Sequence, residues 1–146
     1  MLAQTAALCY LTIMSLSAPR LSDAELLARM QSFHWWHSIA LREGLTTFGG
    51  KTELILAQEE EALLGPFNLA GRSVIDIGAW NGFFSFAAKR RGAARVLATD
   101  SYIWNHPVWR GREAFELARG EHGPDLAAQM VDPPPIATMP SQPSSL

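Results

Sequence analysis

The chain has 146 residues, of which 48% are hydrophobic and 18% charged, and its formal net charge is −2 at pH 7. This length allows one domain, and this composition favours a globular core over disorder. The small net charge excludes a general electrostatic attraction to nucleic acid or to an anionic membrane. The only cysteine, Cys9, excludes an internal disulfide framework and a cysteine-based zinc site, and no metal site is predicted.

Residues 1–20 are an apolar leader rich in small residues, with no Lys or Arg ahead of the apolar run. A secretory signal needs positive charge there, and a membrane-spanning helix needs about 20 apolar residues, so neither is predicted. We interpret the leader as a disordered segment or as the product of a misplaced start, with Met14 as the alternative first residue. We therefore expect a cytoplasmic protein with no membrane partner.

Residues 21–66 are predicted to form a helical extension ahead of the core. The sequence Ser-Asp-Ala-Glu at 22–25 has the pattern of a capping box, which predicts a helix to about Phe33. The buried side of this helix is expected to carry Leu26, Leu27 and Met30. A second helix is predicted over residues 52–64, because Gly65-Pro66 would stop it.

The stretch 74–100 predicts a strand, a glycine turn, a helix and a second strand. The first strand contains the apolar run expected of a parallel strand that is buried on both faces, formed by Val74, Ile75 and Ile77. Gly78 and Gly82 then bracket a turn at which the backbone must bend sharply and let a ligand approach.

The helix after this turn is predicted from Phe83 to Arg91, and the apolar face of this helix is expected to hold Phe83, Phe86 and Ala87. Gly92 is placed to end the helix, and the second strand starts over residues 96–99, with Asp100 at its carboxyl end. In open α/β sheets, ligands bind outside the carboxyl ends of the strands. The stretch therefore predicts half of a nucleotide-cofactor site.

The spacing of the glycines argues against two common nucleotide-binding loops. A dinucleotide fingerprint GxGxxG starting at Gly78 needs glycine at two positions that are Trp80 and Phe83 here. A phosphate-binding GxxxxGK[ST] loop also fails, because no Lys-Ser or Lys-Thr follows Gly82. A nicotinamide-dependent oxidoreductase is therefore the less favoured class of enzyme.

The remaining pattern, DIGAWNG over residues 76–82, resembles the first motif of class I S-adenosylmethionine-dependent methyltransferases, D-x-G-x-G-x-G. Trp80 stands at the middle glycine of that motif. Asp100 lies where the ribose-binding acid of these enzymes belongs.

The flanking segments resemble one methyltransferase family more narrowly. Residues 33–44 resemble its W-[YF]-H-x-I-x-L-x-x-G segment, and the family is similar to the enzyme that completes 5-oxyacetyl- or 5-methoxyuridine at the tRNA wobble position. Its core motif commonly reads DIGAWDGFFSF, so Trp80 is usual there and Asn81 replaces an acid. The resemblance continues in residues 99–104 and 115–119.

This resemblance implies an α/β, Rossmann-like doubly wound methyltransferase fold with S-adenosylmethionine as the cofactor. The residues that it places at the cofactor are Asp76, Gly78, Ala79, Trp80, Asn81, Gly82 and Asp100. It implies a methyl acceptor that is a tRNA wobble uridine or a small molecule, with Trp36 and His37 as candidate substrate residues. No catalytic residue is predicted.

Structural interpretations of the same residues stay open at this point. Asp76 and Asp100 would cap turns, and Trp80 would pack over the turn. His37 would be a hydrogen-bonded histidine beside aromatics. The segment Trp35-Trp36-His37 is expected to form a lid against Trp80, with each aromatic contributing about 3–5 kcal/mol. A solvated face, rather than a grip on RNA phosphates, is expected for Lys89, Arg90, Arg91 and Arg95.

Residues 67–132 are predicted to be the front half of the cofactor-binding domain, with a third strand at 129–132 and truncation after it. A disordered Pro- and Ser-rich tail is predicted over 133–146, which holds five of the nine prolines. The first core strand would then be an open apolar edge, through which we expect self-association. The alternative function is that of a catalytically inactive half-domain or interaction module.

Overall fold

The structure, a computed structural model, describes residues 20–122. The predicted leader up to residue 19, the strand at 129–132 and the tail at 133–146 lie outside the described residues. Within them, the elements alternate between short strands and helices, so the described chain is a mixed α/β protein. None of the helices in this range is long and apolar enough to cross a membrane.

Helix α1 (Asp23–Gln31) begins at the predicted capping box. The Ser22 side chain accepts from the Glu25 N–H, and the Ser22 N–H donates to the Glu25 carboxylate at 2.8 Å. Leu26 and Met30 are buried as predicted, but Leu27 is 39% exposed, so its placement on the buried side was wrong. Residues four apart share a helix face, whereas the next residue is turned away from it.

The middle of the predicted helical extension is an antiparallel hairpin rather than a helix. Strand β1 (Ala40–Arg42) pairs with β2 (Leu45–Thr46), and Gly44 turns between them with a φ of +75°. The period-two burial of Ile39 and Leu41 around an exposed Ala40 is the signal for a strand. Helix α2 (Glu53–Leu64) follows the Thr52 cap and confirms the helix predicted over 52–64.

The predicted strand–turn–helix–strand unit is present. Strand β3 (Ser73–Ile77), helix α3 (Phe83–Arg90) and strand β4 (Arg95–Thr99) form a parallel βαβ unit. The register pairs Ser73 with Arg95 and Ile77 with Thr99, so the carboxyl ends of both strands lie side by side. Gly92, with a φ of +90°, turns the chain between the helix and the second strand.

Strand β3 is not buried on both faces, which corrects the prediction. Ile75 and Ile77 are 64% and 85% exposed, while Val74 and Asp76 are half-buried on the opposite face. Among the described residues β3 pairs only with β4, in a two-stranded sheet. Side chains alternate along a strand, so α3 covers only every second residue. The larger doubly wound sheet stays a prediction.

The main core joins the N-terminal segment to the βαβ unit through helix α4 (Gly111–His122). Phe115 of this helix stacks on Phe86 of α3 at 5.7 Å between ring centroids. The largely buried Arg42 of β1 forms a bidentate pair with Glu121 of α4. These contacts hold the segment from Trp35 to Lys51 against the glycine turn. The same core also contains Leu26, Met30, Trp35, Ile39, Leu41, Ala98 and Trp104.

Candidate cofactor site

The turn between β3 and α3 folds back onto the end of β4. The N–H groups of Gly78 and Ala79 both donate to the Thr99 carbonyl, at 2.8 and 3.0 Å. Gly78 and Gly82 have φ values of +77° and +92°, in the left-handed region that favours glycine. A Cβ at Gly82 would lie 2.6 Å from the Phe115 ring, whereas one at Gly78 would meet open space. Gly82 is therefore required by packing, and Gly78 leaves room at the end of the sheet.

Asp100 links the turn to the end of β4. It is 7% exposed, and its two carboxylate oxygens accept from the N–H groups of Trp80 at 3.1 Å and Ile103 at 2.8 Å. The interpretation of Asp100 as a turn-capping residue is therefore confirmed. An ionised carboxylate has about four acceptor sites, and these two hydrogen bonds occupy roughly half of them.

Asp76 lies beneath the turn, on the side of α3. The Ser85 hydroxyl donates to its carboxylate at 2.6 Å. Burial raises the pKa of Asp76, the Ser85 hydrogen bond opposes that rise, and the nearby charge of Asp100 adds to it. The two acids predicted at the cofactor therefore lie close enough to interact.

Asn81 forms hydrogen bonds that connect the N-terminal segment to the turn. It is fully buried, and its Oδ1 accepts from the Trp36 N–H at 2.7 Å. Its Nδ2 donates to the His34 carbonyl at 3.4 Å. A carboxylate at this position accepts but cannot donate, so an amide suits this pair of peptide groups better than the acid of the related motif. The sequence alone carried no signal for this contact.

An aromatic stack, formed by Trp36, Trp80, Trp109 and His106, lies over the turn. Trp80 stacks on Trp36 at 5.3 Å and on Trp109 at 5.7 Å, and Trp109 stacks on His106 at 4.3 Å. The expected contact between the Trp35-Trp36-His37 segment and Trp80 is thus present. Trp80 has a φ of +53°, and its carbonyl accepts from the Trp104 indole N–H at 2.7 Å. Trp80 therefore packs within this stack and is held in a left-handed backbone conformation.

A cavity of about 410 Å³ lies beside the turn. Its walls combine the N-terminal segment, the end of α2 and the free side of β3, and they include Trp36, His37, Lys51, Leu64, Asp76, Gly78 and Phe84. The cavity brings together both candidate substrate residues and part of the predicted cofactor set. Ala79, Asn81, Gly82 and Asp100 are not among its lining residues.

His37 is buried in the wall of this cavity without a full set of hydrogen bonds. It is 4% exposed, and its Nδ1 has no hydrogen-bond partner. Burial lowers the pKa of His37 to about 4; the Lys51 charge adds to the decrease and the Glu59 charge opposes it. The imidazole is therefore neutral near pH 7. Its Nδ1 therefore lacks the hydrogen bond that is expected of a structural histidine.

Three of the four cations considered as possible RNA-phosphate contacts, Lys89, Arg90 and Arg91, are engaged by protein groups. Arg90, the last residue of α3, and Arg91, which follows it, pair with Glu60 of α2 at 3.0 and 2.9 Å, and Arg91 also pairs with Glu61. The Lys89 ammonium donates to the Ala94 carbonyl at 3.2 Å. These contacts favour a structural role for the cations of α3. No cluster of His, Cys, Asp or Glu in the range 20–122 could hold a metal ion.

The turn and Asp100, at the joined carboxyl ends of two parallel strands, define a candidate nucleotide-cofactor site on an α/β scaffold. No family model and no curated protein matches the chain. Among solved structures, the chain is similar to a candidate RNA methyltransferase from Pyrococcus horikoshii, at 17% identity and a TM-score of 0.42. The alignment covers 77% of this chain and 52% of that one, so the chain spans about half the length of that protein. A similarity of this degree carries no argument about the activity.

Proposed function

We propose that this chain belongs to an S-adenosylmethionine-dependent methyltransferase, with the cofactor at the turn between β3 and α3. The observation that supports the proposal is the pairing of the glycine turn with Asp100 at the carboxyl ends of two neighbouring parallel strands. Ligands of open α/β sheets bind at such a point. The motif over residues 76–82 narrows the ligand to S-adenosylmethionine through its resemblance to the first methyltransferase motif.

The residues at the turn fit this cofactor. The open space at Gly78 allows close approach of a ligand to the backbone, and the Asp100 carboxylate keeps acceptor sites for hydroxyls. S-adenosylmethionine supplies a methyl group on a sulfonium, which is already activated for transfer. The protein then has to orient the two reactants and exclude water, so a strong acid–base signature is not required.

The resemblance leaves a tRNA wobble uridine and a small molecule as acceptors. The engaged cations of α3 favour the small molecule, because RNA binding depends on cations that neutralise phosphates. The exposed apolar face of β3 supports a second function, that of a non-catalytic module that binds a partner. The methyltransferase is expected to bind S-adenosylmethionine and the non-catalytic module is not, so a measurement of cofactor binding distinguishes the two functions.

The test compares Gly78→Ala with a matched control, Gly71→Ala. Both glycines have φ values near +75°, and a Cβ at either would meet nothing within 4 Å. Both variants should therefore lose a similar stability, about 1–2 kcal/mol. We expect only Gly78→Ala to weaken binding of S-adenosylmethionine and S-adenosylhomocysteine in calorimetric titrations, by about tenfold or 1.4 kcal/mol. Gly78 is a cleaner probe than Asp100, which also holds the turn together.

Wild-type protein that binds neither compound would overturn the proposal. If Gly78→Ala and Gly71→Ala bind S-adenosylmethionine with equal affinity, the turn between β3 and α3 is not part of the cofactor site.

A further inference from the structure

The cavity beside the turn shares Asp76, Gly78 and Trp80 with the predicted cofactor set but does not include the proposed ribose-binding residue, Asp100. It is lined by β3, by the end of α2 and by the segment that carries Trp36 and His37. None of the described residues of β4 contributes to it, and Asp100 does not line it. A cofactor with its ribose at Asp100 would therefore leave space here for a second molecule, next to Gly78.

The chemistry of the lining restricts what that molecule can be. Most of the wall is aromatic or aliphatic, including Trp36, Trp80 and Phe84. The Lys51 ammonium is already held by both carboxylate oxygens of Glu59, at 2.8 and 2.7 Å. Asp76 would repel an anion. Desolvating a charged ligand in such a site is costly, so the lining favours an uncharged molecule.

His37 supplies the specific polar contact. Its imidazole is almost fully buried, and its Nδ1 lacks a partner. Buried polar groups in native proteins nearly always have a hydrogen-bond partner, so the orphaned Nδ1 of a residue that lines a cavity favours a ligand group or a water, which the ring would have to turn to admit because the atom itself is enclosed. A neutral imidazole offers one donor and one acceptor, and a hydroxyl can satisfy either nitrogen.

We infer that this cavity is the methyl-acceptor site and that it takes a small, uncharged ring compound whose hydroxyl group hydrogen-bonds to His37. The identification of the ligand as a methyl acceptor rests on the proposed function, whereas its size and its lack of charge are inferred from the cavity alone. The volume of about 410 Å³ lies within the range of small-molecule sites. His37 is a binding residue in this scheme and orients the hydroxyl at the end of β3.

The experiment uses the full chain without cofactor and phenol as the probe, with toluene as a ligand of similar size that has no hydroxyl. Phenol binding is followed by tryptophan fluorescence, since Trp36 and Trp80 line the cavity, and by the ¹⁵N resonances of the His37 imidazole. We expect phenol, but not toluene, to shift the His37 nitrogen resonances. The variant His37→Phe keeps a ring of similar size, and we expect it to weaken phenol binding at least fivefold with toluene binding unchanged.

His34→Phe is the matched control, because His34 stacks on Trp109 and is not among the lining residues. Phenol binding that His37→Phe leaves intact, or wild-type His37 resonances that do not move, would overturn the inference. So would a wild-type protein that excludes phenol at concentrations where it sediments as a monomer, because self-association through Ile75 and Ile77, which also line the cavity, would then not explain the exclusion. If phenol binds at His37 and S-adenosylhomocysteine does not bind, the proposed function fails and the His37 site stands. If S-adenosylhomocysteine binds and phenol does not bind at His37, the inference fails and the proposed function stands.

Discussion

The proposed cofactor binding and the stability of the protein make opposite demands on Asp76. The residue is half-buried beneath the turn, and one hydroxyl, that of Ser85, donates to its carboxylate. Burial raises the pKa of Asp76 above the ordinary value of the unfolded chain. The folded protein therefore holds this proton more tightly than the unfolded protein does, and ionisation of Asp76 costs stability.

We expect Asp76→Asn to stabilise the protein at high pH and to weaken cofactor binding. For an acid whose folded pKa is raised, the favourable contribution is complete below the unfolded pKa and is lost as the pH rises through the folded pKa. Asp76→Asn lacks this loss, so its free energy of unfolding should match that of wild type near pH 3 and exceed it increasingly as the pH rises through the folded pKa of Asp76. Urea unfolding across this range measures the difference, with the exposed Glu43→Gln as control. Parallel curves for Asp76→Asn and wild type would contradict the assigned burial effect.

At the scale of elements, the N-terminal segment is joined to the βαβ unit by side chains with different tasks. Trp35 is 6% exposed, and its indole N–H donates to the Met30 carbonyl at 2.8 Å. Trp36 is 39% exposed and covers Trp80. The expected contact with Trp80 is therefore made by Trp36, whereas Trp35 is a core residue. A segment that lies across a turn points neighbouring side chains to opposite sides, so one tryptophan enters the core and the other covers the turn.

We expect Trp35→Ala to lower the free energy of unfolding by about 3–5 kcal/mol, because it empties a core position. Trp36→Ala should cost only about 1 kcal/mol, the scale of one aromatic stacking contact. Thermal or urea unfolding measures both, and Phe48→Ala is the control, since Phe48 is 90% exposed. A larger loss from Trp36→Ala than from Trp35→Ala would reverse this assignment of the two tryptophans.

For the whole molecule, the main asymmetry is that one face of the βαβ unit is packed and the other is open. Helix α3 and the main core cover the face that carries Val96 and Ala98, both buried. The opposite face exposes Ile75 and Ile77, beside the edge of β3 that no described strand pairs. An apolar face next to an unpaired strand edge favours association with another chain.

We expect the wild-type protein to self-associate with rising concentration and Ile77→Lys to shift it toward the monomer. Ile77 is 85% exposed, so the substitution removes apolar contact area between chains without emptying the core. Sedimentation velocity over a hundredfold concentration range tests this, with Val108→Lys as a control at another apolar residue, 75% exposed. A wild-type protein that stays monomeric throughout, or an equal effect of both substitutions, would rule out association through β3.

The sequence by itself determined the local elements. The capping box at 22–25, the helix over 52–64 and the unit over 74–100 were predicted because caps, glycine turns and apolar periodicity act between residues close in the chain. The same patterns predicted that Gly78, Gly82 and Asp100 would meet at the end of the strands. The hairpin around Gly44 was missed, because its strands are too short for a clear periodic signal.

Only the tertiary structure decided how these elements are joined and what lies between them. Asn81 bonds to Trp36 across 45 residues, and Arg42 bonds to Glu121 across 79. The cavity that holds His37 exists only because these distant contacts place one segment over another. The exposure of Ile75 likewise depends on which face α3 covers. Such features follow from packing between elements, and a local pattern carries no record of the partner that a side chain will meet.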